Sequence, residues 1–511
     1  MKNLKFIYIS IGILAFTACN DPEDVDLSPE VIVEDPVELT AGSADFSNYV
    51  ALGNSLTAGF TDGALFQASQ SMSLPNLLSQ KFSLAGGGSF VQPLTNDNFG
   101  GLAAGGERIQ DPRLVFGGAG PVPLEAALGA SVTVSTDIVL NNPTGPFNNL
   151  GVPGAKSFHL LAPGYGNLAN VSLGLANPYF VRMTGNTPDI SVLEMAVSQA
   201  PSFFSLWIGN NDVLGYATTG GDGTNPITPV SGVPGVGFDG SYGALIATLT
   251  AGGAKGVVAN IPNVVDIPHF TTVPHNPVPL DAATAAAVNG AYAQYNGGLQ
   301  AAFGALAGTG LFTQEELEAR TINFVEGPNN AVVIEDESLT DLGAINPAFA
   351  ALPKIRQATA NDLLVLTASN FIGTLAVPGN PLSVNGVAVP LADKWVLIPS
   401  EQEEIAVAIE AFNQIIETTA AQAGLALVDA NSLLNQLANG GITSGDFTLT
   451  SSLVTGSAFS LDGVHPTARG YALLANEFMK AIDATYGSNF EASGNLLNVG
   501  DYPTNYSPTL Q

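Results

Sequence analysis

The sequence predicts an α/β fold in which a mostly parallel sheet carries helices on both sides. Two observations predict it. Short apolar runs alternate with helical patterns along much of the chain. The apolar runs are also continuous, as expected for strands buried on both faces rather than on one.

The strand candidates are residues 49–52 (YVAL), 203–208 (FFSLWI), 256–261 (GVVANI) and 426–429 (ALVD), with a fifth just before Asn149. The segment SYGALIATLTAGGA leads directly into KGVVANIP. A long helix is predicted over residues 400–424, opened by Ser400 and Glu403 in a capping-box spacing and closed by Gly424 before LALVDA. GYALLANEFMKAIDATYG supplies the last helix. Between these elements lie Gly-, Pro-, Asn- and Thr-rich tracts, chiefly 84–147, 216–238 and 305–395. They read as insertions between core elements, and 84–147 and 305–395 hold too many apolar residues for linkers and are expected to be folded. No repeat of fixed period is present.

The N-terminus is organised differently. Lys2 and Lys5 precede an apolar run from Phe6 to Ala15, then FTAC. A positive start, a short apolar stretch and small residues before a cut site read as a secretory signal, too short to span a bilayer. The FTAC segment resembles a lipobox, so the expectation is a signal peptide over 1–18, lipidation at Cys19 and attachment to the bacterial cell envelope at the outer membrane. Residues 20–45 carry nine acidic residues, three prolines and no Lys or Arg, and read as a solvated tether. The organisation expected is a tether over 19–45, one domain over 46–490 and a tail over 491–511.

At 46% hydrophobic and 11% charged, the 511 residues can build a core. Fourteen Lys and Arg against 44 Asp and Glu leave a net charge of −30, which disfavours nucleic acid as a partner. Cys19, the single cysteine, excludes an intrachain disulfide.

The chemistry concentrates in four short blocks. In YVALGNSLTAGF an apolar strand ends at Gly53 and presents Ser55 where a helix opens. A serine there has its own N–H placed to meet negative charge, although an N-cap role is the commoner use of such a residue. In FSLDGVHPTARGY, Asp462 and His465 stand three residues apart on a turn. That spacing lets a carboxylate hold one ring nitrogen while the other faces outward. A rival pair, Asp266 and His269, has the same spacing and with His275 offers metal ligands, but no further ligand follows at sensible spacing to complete a site. LWIGNNDVL ends another strand and presents the Asn211 amide at the sheet's C-terminal edge, where open α/β sheets bind ligands. NNLGVPGAKS offers the unobstructed N–H of Gly154.

These four blocks, taken in chain order, resemble the SGNH hydrolases, also called the GDSL lipase/esterase family. The resemblance implies Ser55 as nucleophile, Asp462 and His465 as its acid and base, and the Ser55 and Gly154 N–H groups with the Asn211 amide as the oxyanion hole. It also implies a flavodoxin-like three-layer α/β/α core on a five-stranded sheet. Asn54 stands where the family's name motif has Asp; there the residue supports the loop rather than the chemistry. The block is not the G-x-S-x-G elbow of α/β-hydrolases, because Thr57 replaces the last glycine.

The function expected is carboxylic ester hydrolysis through an acyl-enzyme, on a lipid, short-acyl or O-acetyl glycan ester, with no cofactor and no metal. The alternative is a catalytically silent, glycan-binding surface lipoprotein on the same fold. The insertions are expected to wall a cleft over the site, with Arg108, Arg113, Lys354 and Arg356 as the cations able to meet an acidic substrate.

Overall fold

The structure, a computed structural model, describes residues 37–380 and 383–510. The expected signal peptide, Cys19 and most of the expected tether lie outside these residues.

Five parallel strands form the central sheet: β1 (Tyr49–Gly53), β2 (Asn149–Gly151), β3 (Phe203–Trp207), β4 (Lys255–Ala259) and β5 (Ala426–Val428). Their order is 2-1-3-4-5, the flavodoxin-like arrangement. Strand β1 lies inside it, with Leu52 paired to both Leu150 and Leu206.

The continuous apolar runs have their expected cause. On one face Val50, Leu52, Phe204, Leu206 and Val258 join a core with α3 (Val192–Val197), α4 (Asn210–Thr218), α5 (Phe238–Thr250) and α6 (Pro399–Ala423). On the other, Tyr49, Ala51, Phe203, Trp207 and Val257 pack with α2 (Leu74–Leu84) and α8 (Ala468–Tyr486). Neighbouring residues of one strand therefore enter different cores, and each must be apolar.

Three local expectations need correction. Strand β2 begins at Asn149 instead of ending before it. Its residues have poor strand propensity, and the Asn149 side chain fixes it by donating to Thr57 O at 3.1 Å and accepting from Gly151 N at 3.0 Å. Helix α6 starts at Pro399 rather than at a Ser400 cap. Pro399 is preset for the first helical position, and Glu401 accepts the Ile398 N–H at 2.8 Å. The packed chain also starts earlier than Phe46, because Thr40 N donates to Asn489 Oδ1 at 2.7 Å and Ser43 N to Tyr486 O at 2.8 Å.

Both insertions are folded. The first contributes two hairpins, 102–110 and 114–123, and packs Leu102 and Ile138 against Ala58 and Leu65. The second follows a 24-residue helix, Ala282–Ala305, and builds two apolar clusters together with it. The C-terminal segment is tied down as well: Arg113 donates to Ser507 O at 2.7 Å, and Tyr506 meets Phe66 edge to face.

Candidate active site

Strand β1 ends at Gly53, and the next residue, Asn54, caps a single helical turn, α1 (Ser55–Ala58), by accepting the Leu56 N–H at 3.0 Å. Two glycines let this turn sit directly on the strand ends. A Cβ at Gly151 would lie 2.3 Å from Ala58 N, and one at Gly53 would lie 2.5 Å from Trp207 O. Ser55 is thereby held at the C-terminal edge of the sheet, 8% exposed.

His465 Nδ1 lies 2.8 Å from Asp462 Oδ2, which leaves Nε2 for proton exchange. The same carboxylate is saturated with donors. Its Oδ1 accepts from Val464 N and His465 N at 2.9 Å each and from Ser460 Oγ at 3.0 Å, and Oδ2 also accepts from Gly63 N at 2.9 Å. Burial alone would push the Asp462 carboxyl up. The His465 ring and the His465 and Val464 N–H groups outweigh burial and hold it well below the usual carboxylate range.

The loop carrying this pair is fastened to the segment that follows Ser55. The Phe60 ring sits 4.7 Å from the His465 ring, centroid to centroid, and Thr61 Oγ1 donates to Pro466 O at 2.9 Å. Asp62 N donates to Ser460 Oγ and Asp62 Oδ1 accepts from Leu461 N, both at 3.0 Å. Residues 60–63 thus grip residues 460–466 one after another. Asp62 is buried with a φ of +52°. Burial first, and the neighbouring Asp462 charge second, push its carboxyl up to about 7, against the pull of the Leu461 N–H and Arg113. Sequence reading missed these residues.

Gly154 lies after β2 with a φ of +81°, in a turn closed by Ala155 N donating to Val152 O at 3.0 Å. A Cβ there would find nothing nearer than Asn177 Nδ2 at 3.9 Å, so its surroundings are open. Asn211, in the first turn of α4, donates one amide hydrogen to Ala155 O at 2.9 Å. Asp212 binds the same loop by accepting from Ser157 N at 2.8 Å and Ser157 Oγ at 2.7 Å. The glycine and asparagine blocks are therefore one hydrogen-bonded unit.

Ser55, His465 and Asn211 line a single cavity of about 90 Å3, together with Asn54 and Asn210. Among the described residues no hydrogen bond joins Ser55 Oγ to the His465 ring. Such contacts often tighten only when substrate binds. Gly154 does not line this cavity.

The rival pair does not assemble. Asp266 accepts from Asn263 Nδ2 at 2.9 Å, and both ring nitrogens of buried His269 lack a hydrogen-bond partner. Neither His269 nor His275 joins a cluster of possible metal ligands among the described residues. The cluster that does form, Glu337 with Asp393 and Glu401, was not legible in the sequence. Burial pushes both Asp393 and Glu401 up, reinforced by the charge of Glu337.

The expectation for the insertions is not met at this cavity: no residue of 84–147 or 305–395 lines it. The two tracts meet around a separate cavity of about 690 Å3, between residues 116–121 and 366–372. The expected cations are also committed elsewhere. Arg108 grips Glu125 at 2.6 and 3.0 Å, and buried Arg113 donates to the Asn98 and Ser507 carbonyls. Arg356 binds Asp336 and Asp362 at 2.5–2.7 Å, and Lys354 binds Glu337 O.

The fold and site define an open parallel α/β sheet with an acid–imidazole pair and a serine at one cavity on its C-terminal edge. The chain matches no family model, no curated protein and no solved structure.

Proposed function

We propose that the protein is a serine esterase that hydrolyses carboxylic esters, exported and lipid-anchored through Cys19. One observation carries the reading: an imidazole held by a half-buried carboxylate shares a cavity with a serine about 400 residues away in the chain. Ser55 Oγ attacks the ester carbonyl carbon and its proton passes to His465 Nε2. The negative oxygen is met by the Ser55 and Gly154 N–H groups and the free amide hydrogen of Asn211. The tetrahedral intermediate collapses, and the alcohol leaves with the proton from His465. Water then repeats the sequence on the acyl-serine and releases the acid. Asp462 keeps the ring in one tautomer and balances the imidazolium charge.

A fluorophosphonate probe tests this directly, because it labels only an activated serine. Labelling at Ser55, lost in Ser55→Ala and accompanied by turnover of p-nitrophenyl acetate, supports the esterase. The silent glycan-binding alternative has one observation on its side, the missing hydrogen bond between Ser55 and His465. It predicts no labelling and no turnover.

A further inference from the structure

The cavity at Ser55 extends well beyond the reacting groups, and most of its lining is apolar. Its polar lining is Asn54 and Ser55, which follow β1, Asn210 and Asn211, which follow β3, and His465. Apart from these, its walls are apolar. Leu56 comes from α1, Leu214 from α4, Leu433 and Leu437 from α7 (Ala430–Ala438), and Leu473 and Leu474 from α8. The indole N–H of Trp207, the other polar group in the lining, is already used, donating to Asn260 O at 3.1 Å. Lining residues follow the ends of β1, β3, β4 and β5 in turn, so the cavity crosses four adjacent strand ends. At about 4.8 Å per strand that is a run of roughly 14 Å. It leads away from β2, the strand that brings Gly154.

We infer that this cavity is a binding subsite for an unbranched hydrocarbon chain of the ester substrate. The inference rests on the esterase reading and names its substrate class. A sugar ring entering these walls would lose its hydration without gaining a hydrogen-bond partner. A charged group would find no counter-ion, since the lining holds no Lys or Arg. A cavity whose lining beyond β4 and β5 is apolar, with its polar side chains on the β1 and β3 turns and at His465, fits a flexible chain whose ester group stops at Ser55. Leu433, Leu437 and Leu474 are only partly buried, which leaves their faces available to such a chain.

The chemistry allows the chain to sit on the acyl or on the alcohol side, and two ester series separate them. One is p-nitrophenyl alkanoates of increasing acyl length; the other is n-alkyl acetates of increasing alcohol length. In one series kcat/KM should rise about fourfold per added methylene until the cavity is filled, equivalent to about 0.8 kcal/mol each. In Leu433→Trp and Leu437→Trp, the ratio of kcat/KM for the eight-carbon over the two-carbon ester in that series should fall at least tenfold. The ratio is internal to each variant, so partial misfolding does not distort it. A flat profile in both series, with Ser55 still labelled by fluorophosphonate, overturns the chain subsite and leaves the esterase standing. A steep profile that both tryptophan variants preserve also overturns it. Absence of labelling removes the esterase and this proposal together.

Discussion

The backbone N–H of Gly63 donates to the Asp462 carboxylate over 2.9 Å, joining the segment behind the serine to the loop that carries the histidine. With Phe60, Thr61 and Asp62 it forms a clamp that holds the acid–imidazole pair against the strand end bearing Ser55. Convergence of the three residues therefore depends on a turn that takes no part in the chemistry.

Asp62 makes the clamp sensitive to pH. Its carboxyl rises from an ordinary value of 3.8 to about 7, chiefly through burial. The folded state thus holds a proton that the unfolded state has released, and stability falls as pH climbs from about 4 to about 7. Asp62→Asn removes that dependence while keeping an acceptor for the Leu461 N–H. Relative to the parent protein, the variant should gain stability between pH 4 and pH 8, by on the order of 3–4 kcal/mol at most. Urea unfolding at both pH values measures it, and a difference that shrinks as pH rises sinks the argument.

Asp462→Asn tests the pair itself. The amide still accepts from the loop's N–H groups but no longer balances an imidazolium or enforces the tautomer. A fall in kcat of about 10⁴ is expected, as for other carboxylates in this position, with the secondary structure unchanged. The stability linkage has the opposite sign to that of Asp62. The Asp462 carboxyl is depressed, so its contribution is present above pH 3.8 and is lost as pH falls through the lower folded value. The stability gap between parent and variant should therefore close in strong acid. An unchanged kcat in Asp462→Asn would refute the assigned role.

Much of the core and of the candidate site was legible because each piece is local. Ser55, Gly154, Asn211 and the Asp462–His465 pair each sit on a turn whose glycines and spacing announce it, and both-face burial makes the strands continuous in apolar residues. What was not legible is pairing between distant turns. Nothing in the sequence couples Asp62 to Leu461, or Arg113 to the carbonyl of Ser507, because those bonds exist only after the chain has folded. The same blindness left Arg108, Arg113, Lys354 and Arg356 looking free when each already has a partner. Strand β2 was placed a few residues too early because side-chain bonds from Asn149, rather than strand propensity, hold it in the sheet.

Asn211→Ala separates binding from catalysis. One amide hydrogen already donates to Ala155 O at 2.9 Å, which fixes the plane of the group and leaves the other for a developing oxyanion. Removing it should lower kcat by about 10²–10³ with a smaller change in KM, because the lost interaction strengthens only as charge develops. A rise in KM at unchanged kcat would instead make Asn211 an ordinary substrate contact.

Asn54→Asp asks how strictly the residue before Ser55 is specified. Asn54 is buried, caps α1 through Oδ1 and donates from Nδ2 to Asn210 Oδ1 at 3.1 Å. An aspartate keeps the cap and adds negative charge at a helix N-terminus, where it is favoured. Its second oxygen meets Asn210, which needs only an amide flip to turn from acceptor to donor. Turnover of p-nitrophenyl acetate should stay within about tenfold of the parent, on the order of 1.4 kcal/mol. Asn54→Leu, by contrast, strips the cap and leaves the Asn210 amide without its partner. It should cost about 1 kcal/mol in stability from the cap alone and lower kcat further than the aspartate does. Equal damage from both substitutions would mean that Asn54 acts on the reacting groups themselves rather than by holding the turn that presents Ser55.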